Sequence, residues 1–578
     1  MTDQKNLIFA IAISIAILLG FQFFVQKPQQ EAVRQAQQQA EQAAKPSGDA
    51  APPGAPGAQP AGAPGAAVGA GQLLQRDAAL ARAPRVPIDS RRLKGSVSLR
   101  GGRIDDLTMK DYRETVRPDS PLIDLLSPSD TARPYFVQFG WIPGTDSREV
   151  ALPKDDTVWR AEGGVLGTDQ PLTLVWDNGQ GLVFRRTLTL DANFLMTVTD
   201  RVENTGTTPV SLLPYALTKR WPTPHTEGFF ILHEGLIGVT DGTLREISYS
   251  GIKDQKEVKQ ATTGGWVGFT DKYWLVTLIP DQAEAVESRF TWEKRGADDA
   301  YQADYLGAAR TIQPGATAET THRVFAGAKE VHLLDDYRDR LGIQRFDRAI
   351  DFGWFYFLTK PIFYVIDYFY RWLGNFGLAI LLLTVLIKLA FFPLANKSYR
   401  SMSKLKLLQP KMMELREKYG EDRQRLNQEM MALYRKEGAN PASGCLPILV
   451  QIPVFFALYK VLFVTIEMRH APFYGWIRDL SAPDPTTIFN LFGLIPWTPP
   501  HILMIGAWPL IMGVTMFLQQ KLNPQPPDPI QAKVFMVLPI VFTYMLAAFP
   551  AGLVIYWAWN NLLSILQQWV IMRRAGAA

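Results

Sequence analysis

LAILLLTVLIKLAFFPL, residues 378–394, is an apolar run interrupted by one cation, Lys388. With its neighbours it extends over Phe376–Ala395, close to the roughly 20 residues that cross about 30 Å of hydrocarbon. Lys388 stands about eight residues before Asn396, hence about 12 Å along a helix from the polar end. A charge near the centre of such a helix costs about 2.5–3.5 kcal/mol. Two readings stay open: the four-carbon stem snorkels to the interface, or the ammonium faces a wet, polar pocket among helices. Thr384 lies one turn before it, and Gln451, Asn560, Asn561 and Gln567 lie in later apolar runs. Each alone also serves as interhelical glue; together they suggest a hydrophilic concavity. Lys460, towards the other end of its own run, reads as a snorkelling anchor.

Outward from this run, further apolar segments occupy Leu446–Ile466, Leu503–Gln520, Val534–Phe549 and Leu553–Met572. The last two are separated only by Pro550-Ala551-Gly552, which reads as a tight turn. Leu7–Val25 is a further 19 residues without a charge. A cleaved signal peptide has a shorter apolar region followed by small residues; this run ends in Gln26-Lys27-Pro28, so 1–26 reads as an uncleaved anchor. Six spans result. Asn396–Gly444 carries eleven Lys and Arg, whereas the stretch between the next two spans carries only Arg469 and Arg478. That asymmetry puts both termini in the cytoplasm and the middle of the chain outside it.

The averages hide this division. Over 578 residues the net charge is +5, with 47% hydrophobic and 20% charged residues, and the mean hydropathy is −0.03. Residues 27–88 hold a Gln/Ala tract and APPGAPGAQPAGAPGAAVGAG, a composition that buries no core and reads as a tether. Residues 89–345 change to short alternating stretches, among them TLTL (187–190), MTVTDRV (196–202) and WLVTLI (274–279), with turn clusters at Asp177-Asn178-Gly179 and Asn204-Thr205-Gly206. They predict one large β-sandwich. In 346–373 aromatics crowd around Lys360, Pro361, Asp367 and Arg371, which favours a helix lying at the interface over another span. Within the basic loop, 397–443, Met402, Leu405, Leu408, Met412, Leu415 and Tyr419 recur at helical spacing. Gly420 breaks the run, and Leu426, Met430 and Leu433 share a second face, so a helical hairpin is expected. It is either a solvated charged loop or a docking element for incoming chains or ribosomes. The core proper is 374–572, followed by 573–578 with Arg573-Arg574.

Motifs for chemistry are missing. The dipeptide Gly-Lys does not occur, so no Walker loop is present, and neither H-E-x-x-H nor G-x-S-x-G is found. One cysteine, Cys445, excludes an internal disulfide and a cysteine-based metal site. The histidines are scattered. His233-Glu234, Gly264-Gly265-Trp266 and Tyr273-Trp274 read as structural, core and turn residues. The fold class is thus an α+β membrane protein, a five-helix core plus N-terminal anchor carrying a large β domain, with no catalytic group, cofactor or metal expected.

Three stretches carry a resemblance: LQPKMMELREKYGEDRQRLNQEMMALYRKEGANPASGCLPILVQIPVFFALY (408–459), APFYGWIRDLSAPDP (471–485) and FPAGLVIYWAWNNLLSILQQ (549–568). The chain resembles the YidC-type membrane protein insertases of Gram-negative bacteria over essentially its whole length. The resemblance implies a periplasmic β-supersandwich and a core whose groove opens to the cytoplasm and to lipid. It implies that the groove's single basic residue is functional; that position is commonly Arg in the family and is Lys388 here, which keeps the charge but loses the bidentate fork. Contacts with a passing helix carry over to Thr384, Ile452, Pro453, Met512, Met545 and Trp557, with Gln451 and Asn561 as polar groove residues. Trp557 stands where relatives often have Tyr. The implied partners are nascent membrane proteins, the Sec translocon and its accessory subunits, the lipid bilayer and, through the cytoplasmic loops, the ribosome. No small-molecule substrate is implied. Two other classes compete: a transporter in which Lys388 binds an anion, for which inverted repeats are not evident, and an envelope enzyme acting through its β domain.

Overall fold

The computed structural model describes residues 74–574 apart from 148, 228–231, 420–421, 439–445, 496, 498, 501–502 and 524–528. The expected anchor (1–26), the tether as far as 73, Cys445 and 575–578 lie outside the described residues. The described residues hold secondary structure before the expected domain boundary. Helix α1 (Arg76–Leu80) lies within the stretch read as tether, and the strand Arg85–Asp89 begins there. Composition misled there because a few residues suffice: Arg76 pairs with Asp106 at 2.5 Å, and Val86 and Ile88 are buried in the core.

Alternation builds the β domain. In the strand Leu182–Leu190, every second residue from Leu182 is buried and the residues between are half-buried or exposed, the period-2 pattern of a sheet packed on one face. Its hairpin partner Leu172–Asp177 pairs antiparallel, with Asp177 opposite Val183. The Asp177-Asn178-Gly179 turn closes on its own side chains: Asp177 Oδ1 accepts from Gly179 N at 2.8 Å, and Asn178 Oδ1 from Gln180 N at 2.8 Å. Two sheets result, one ten-stranded and one nine-stranded. The strand Trp274–Ile279 lies within the second, between Trp266–Thr270 and Thr317–Ala328. The inward position 186 carries a charge. Arg186 bonds Asp200 through two nitrogens at 2.7 and 2.9 Å and gives a third bond to the Gly102 carbonyl, the satisfaction that a buried ion pair needs. A short helix, α2 (Tyr249–Gln255), is N-capped by Ser248.

Two helices lead out of the sandwich, α3 (Val331–Leu341) and α4 (Tyr356–Leu373). Lys360 of α4 contacts Asp335 of α3 at 2.6 Å and Asp347 at 3.0 Å, while Phe357, Tyr368 and Trp372 stay largely exposed on α4. One side of this helix is therefore clamped by charge and another presents aromatics, the division suited to an interface.

The remaining helices are α5 (Phe376–Ala390), α6 (Phe392–Leu407), α7 (Gln409–Tyr419), α8 (Arg423–Glu437), α9 (Leu446–Val464), α10 (Ala507–Leu522), α11 (Pro529–Leu546) and α12 (Ala551–Arg574). The span expected over Phe376–Ala395 is bent by 67° between α5 and α6. Pro393 lies in the first turn of α6, where its missing N–H is harmless, whereas inside one continuous helix it would break the ladder. The expected start at Leu503 moves to Ala507 because the 484–486 loop caps the helix. Trp508 N donates to Asp484 Oδ2 at 2.9 Å and Ala507 N to Thr486 Oγ1 at 3.0 Å. Ala551 and Gly552, expected in a turn, already belong to α12; their amides donate to the carbonyls of Ala482 and Leu480. In the basic loop segment, Leu405 of α6, Leu408 between α6 and α7, and Met412 of α7 pack with Met430, Leu433 and Tyr434 of α8.

Among the described residues no single helix is long and apolar enough to cross a membrane, although α5 with α6 passes as a bent pair and Gln451–Val464 and Ala532–Leu546 are shorter apolar helices. Prolines 453 and 539 lie inside α9 and α11, and in α12 the amides of Asn560, Asn561, Gln567 and Gln568 dilute the hydropathy. The helical faces are nonetheless apolar outside: Leu389, Val514, Ile540 and Leu566 are all more than half exposed, more surface than a water-soluble bundle leaves open.

Candidate functional site

Lys388 sits in the last turn of α5, and its Nζ lies 2.8 Å from Ser564 Oγ on α12. Ser564 donates its own proton to the Asn560 carbonyl at 2.8 Å, one helical turn back, so its lone pair is what receives the ammonium. Trp559 ties the same two helices from its indole N–H to the Leu381 carbonyl at 3.2 Å. Among the described residues Lys388 forms no ion pair. Around it on α12, Asn560 Oδ1, Gln567 Nε2 and Gln568 Oε1 are buried without a hydrogen-bond partner. Spacings of four, three and one residues put these groups with Ser564 on one side of a helix. Buried polar atoms of this kind are costly unless a polar guest reaches them.

The other expected groove residues divide into three groups. Gln451 donates to the hydroxyl of Tyr556, joining α9 to α12, and Asn561 donates to Thr515 Oγ1 at 3.3 Å, joining α12 to α10. Ile452 and Met545 are exposed at 43% and 47%. Trp557 is half-buried, its ring 4.7 Å from that of Phe455 and 5.9 Å from that of Phe542, with Pro453 on α9 near by in sequence. Thr384 and Met512 behave differently from the expectation. Both are essentially buried: Thr384 donates to the Ile380 carbonyl of its own helix, and Met512 packs with Leu546, Val554 and Ala558. Neither offers surface to a passing helix in this arrangement.

Three residues were not anticipated. Ser564, Tyr556 and Thr515 each complete a polar pair, yet a lone hydroxyl in an apolar helix gives no signal of its own; only the i, i+4 step from Asn560 to Ser564 hints at a polar stripe. Lys460 is corrected outright. Its Nζ lies 2.8 Å from Asp351 Oδ2, with only 12% of the side chain exposed, so it is an ion-pair partner between α9 and the segment before α4 and not a snorkelling anchor. His233 and Glu234 serve local structure: His233 Nε2 meets the Leu236 carbonyl and Glu234 accepts backbone N–H groups. Tyr273 and Trp274, read as core and turn, line a cavity described below.

A second junction lies where α9 ends. Glu467 accepts the Val331 amide at 2.7 Å, an N-terminal cap to α3 supplied from 136 residues away. Burial drives its carboxyl up to about 8.

The chain matches known families along its length. The model of the YidC periplasmic domain covers residues 85–365, and that of the 60Kd inner membrane protein covers residues 368–577. A protein of Methylobacterium sp. (strain 4-46) named membrane protein insertase YidC is 54% identical over 600 residues, spanning 99% of this chain and 96% of its own length. One of the same name from Bradyrhizobium diazoefficiens is 51% identical over 599 residues, spanning 100% and 97%. Among solved structures, an active YidC insertase crystal structure with its first transmembrane domain resolved covers 83% of this chain and 91% of its own at 17% identity; the TM-score of 0.35 is too low for a point-by-point comparison. With more than half of the aligned positions identical across the full length and both halves matched, this chain belongs to the YidC family of membrane protein insertases.

Proposed function

We propose that this chain inserts nascent membrane proteins into the inner membrane through a polar notch formed by α5, α9 and α12. In this reading the chain crosses the bilayer six times, with both termini cytoplasmic. The domain at 89–345 is periplasmic, 346–373 lies at the outer interface, and the basic hairpin at 397–443 meets incoming chains. An apolar segment of about 20 residues gains free energy in lipid, while the polar flank that must cross with it sets the barrier. Lys388, held by a hydroxyl and paired with no carboxylate among the described residues, gives an acidic flank a temporary partner, and the unpartnered Asn560 Oδ1, Gln567 Nε2 and Gln568 Oε1 give its backbone others. The apolar part then leaves along the outward surface at Ile452, Met545 and Trp557, driven by burial of its own surface with no covalent chemistry. The Sec translocon with its accessory subunits and the ribosome join this scheme as partners.

The observation that carries the proposal is the single ammonium at the end of an apolar helix, bonded to Ser564 beside unsatisfied polar atoms. Its test is insertion of short acidic-ended substrates into liposomes containing only the full-length protein. Lys388→Arg should insert them, and Lys388→Ala or Lys388→Glu should not; full insertion by Lys388→Ala rejects the role of the charge. Crosslinks from Trp557, Ile452 and Met545 to a stalled nascent chain are expected, while a crosslink from Met512 requires α10 and α12 to separate and one from Thr384 requires α5 to part from its neighbours.

A further inference from the structure

Where α9 meets the β-sandwich there is a cavity of about 450 Å³, within the range of small-ligand pockets. Two cations face it. Lys272 keeps only 12% of its side chain exposed, and its nearest carboxylate, Glu227, is 3.7 Å away. Its Nζ stands 3.9 Å from the centre of the Phe463 ring, and burial pushes its pKa down. Arg469 lies over the rings of Trp274 and Tyr273, at 5.4 and 5.7 Å. Its Nη2 donates to the carbonyls of Arg113 and Glu114 at 2.6 and 3.1 Å. The Nε and Nη1 donors have no partner among the described residues, no carboxylate there comes within ion-pair distance, and burial again lowers the pKa.

Two partly desolvated cations without tight counter-ions are unfavourable unless an anion joins them. The acids nearby do not fill that role. Asp479 Oδ1 is occupied by His470 N, Ser481 N and Ser481 Oγ, while Glu114 and Glu227 are exposed. The side towards the helices carries aromatic rings: Tyr459 and Phe463 of α9, with the Phe549 ring tilted against Tyr459 at 5.6 Å.

We propose that this cavity is a headgroup site for a zwitterionic phospholipid: phosphate between Lys272 and Arg469, ammonium against the exposed carboxylates of Glu114 and Glu227, and acyl chains following the Tyr459–Phe463–Phe549 wall onto the helices. Opposite charges at different exposure match the two ends of a phosphoethanolamine group, and aromatic faces suit its ammonium. The site is separate from the Lys388 notch and holds whether or not that notch inserts substrates.

The test uses the full-length protein, delipidated in detergent and titrated with phosphatidylethanolamine, phosphatidylglycerol and inorganic phosphate under native mass spectrometry. One phosphatidylethanolamine should be retained in preference to phosphatidylglycerol. Lys272→Met, which keeps the hydrocarbon stem against Phe463, should weaken that binding about tenfold or more, the worth of a hydrogen bond to a charged group. Glu114→Gln with Glu227→Gln should abolish the preference while leaving phosphatidylglycerol bound. Thermal unfolding confirms that each variant is folded. Equal retention of phosphatidylethanolamine by wild type and a folded Lys272→Met overturns the proposal. So does displacement of the lipid by inorganic phosphate at a matching concentration, which assigns the cavity to free anions, or by a short acidic peptide, which assigns it to translocated chain.

Discussion

Ser564 gives Lys388 a fixed position. Because its hydroxyl proton is committed to the Asn560 carbonyl, the oxygen can only accept, and the ammonium keeps its other protons for a guest. Ser564→Ala should therefore release the ammonium and lower insertion of acidic-ended substrates several-fold, since a hydrogen bond to a charged group contributes about 1.5–3 kcal/mol. Ser564→Thr should restore it, and substrates without acidic ends should be unaffected. Glu467 makes a different prediction at the same scale. Its carboxyl is raised from 4.5 to about 8, first by burial, with Glu330 and Asp367 adding to the rise and the Val331 amide opposing it. Between these values the native state holds a proton that the unfolded chain has lost, so stability should fall as pH rises from about 4.5 to about 8, by up to about 1.4 kcal/mol per pH unit. Glu467→Gln keeps an acceptor for the Val331 amide and should remove this decline, seen as a higher unfolding temperature than wild type at pH 8.5 and little difference at pH 5. The charge of Lys388 was legible in the sequence because a cation in an apolar run is conspicuous by itself. Ser564 and Glu467 were not, because a serine in a helix or a glutamate just after one is ordinary until its neighbours are known.

Helices here end where prolines and loops make them end. The 67° bend between α5 and α6 follows from Pro393, and the late start of α10 follows from caps contributed by Asp484 and Thr486. Hydropathy sees neither, since it sums side chains and ignores which amide finds an acceptor. The attachment of α4 is equally invisible to it. Lys360 joins the buried carboxylates of Asp335 and Asp347 in a cluster reinforced by Tyr356, Tyr364 and Arg338. Lys360→Ala leaves two carboxylates facing each other with one counter-charge removed, a change of the kind that costs about 3–5 kcal/mol when fully buried and less in this partly exposed site. The expected result is faster amide hydrogen exchange in α3 and α4, with the central strands of the sandwich unchanged. Lys360→Arg should preserve most of the protection.

Specific contacts between the β-sandwich with the segment that leaves it and the later helices include Glu467 to Val331, Lys460 to Asp351, Arg469 to the carbonyls of Arg113 and Glu114, and Lys272 over the Phe463 ring. None of them includes Lys388 or α12. Deleting the strands between 85 and 328 while keeping α3 should therefore leave insertion into liposomes largely intact, and should lower the unfolding temperature of the remainder because Arg469 loses its acceptors. Loss of all insertion by a folded deletion protein would place the working part in the β domain. The sequence by itself determined that the chain has a β region followed by a region of apolar helices, and that Lys388 is exceptional. Periodicity, composition and a lone charge are properties of residues close together along the chain. Tertiary structure alone decided what Lys388 touches, what Lys460 pairs with and that Lys272, Tyr273 and Arg469 enclose a cavity. These partners stand 176 residues apart for Lys388 and Ser564 and 356 for Arg469 and Arg113, and only the packing of sheets and helices brings such distant groups within hydrogen-bonding reach.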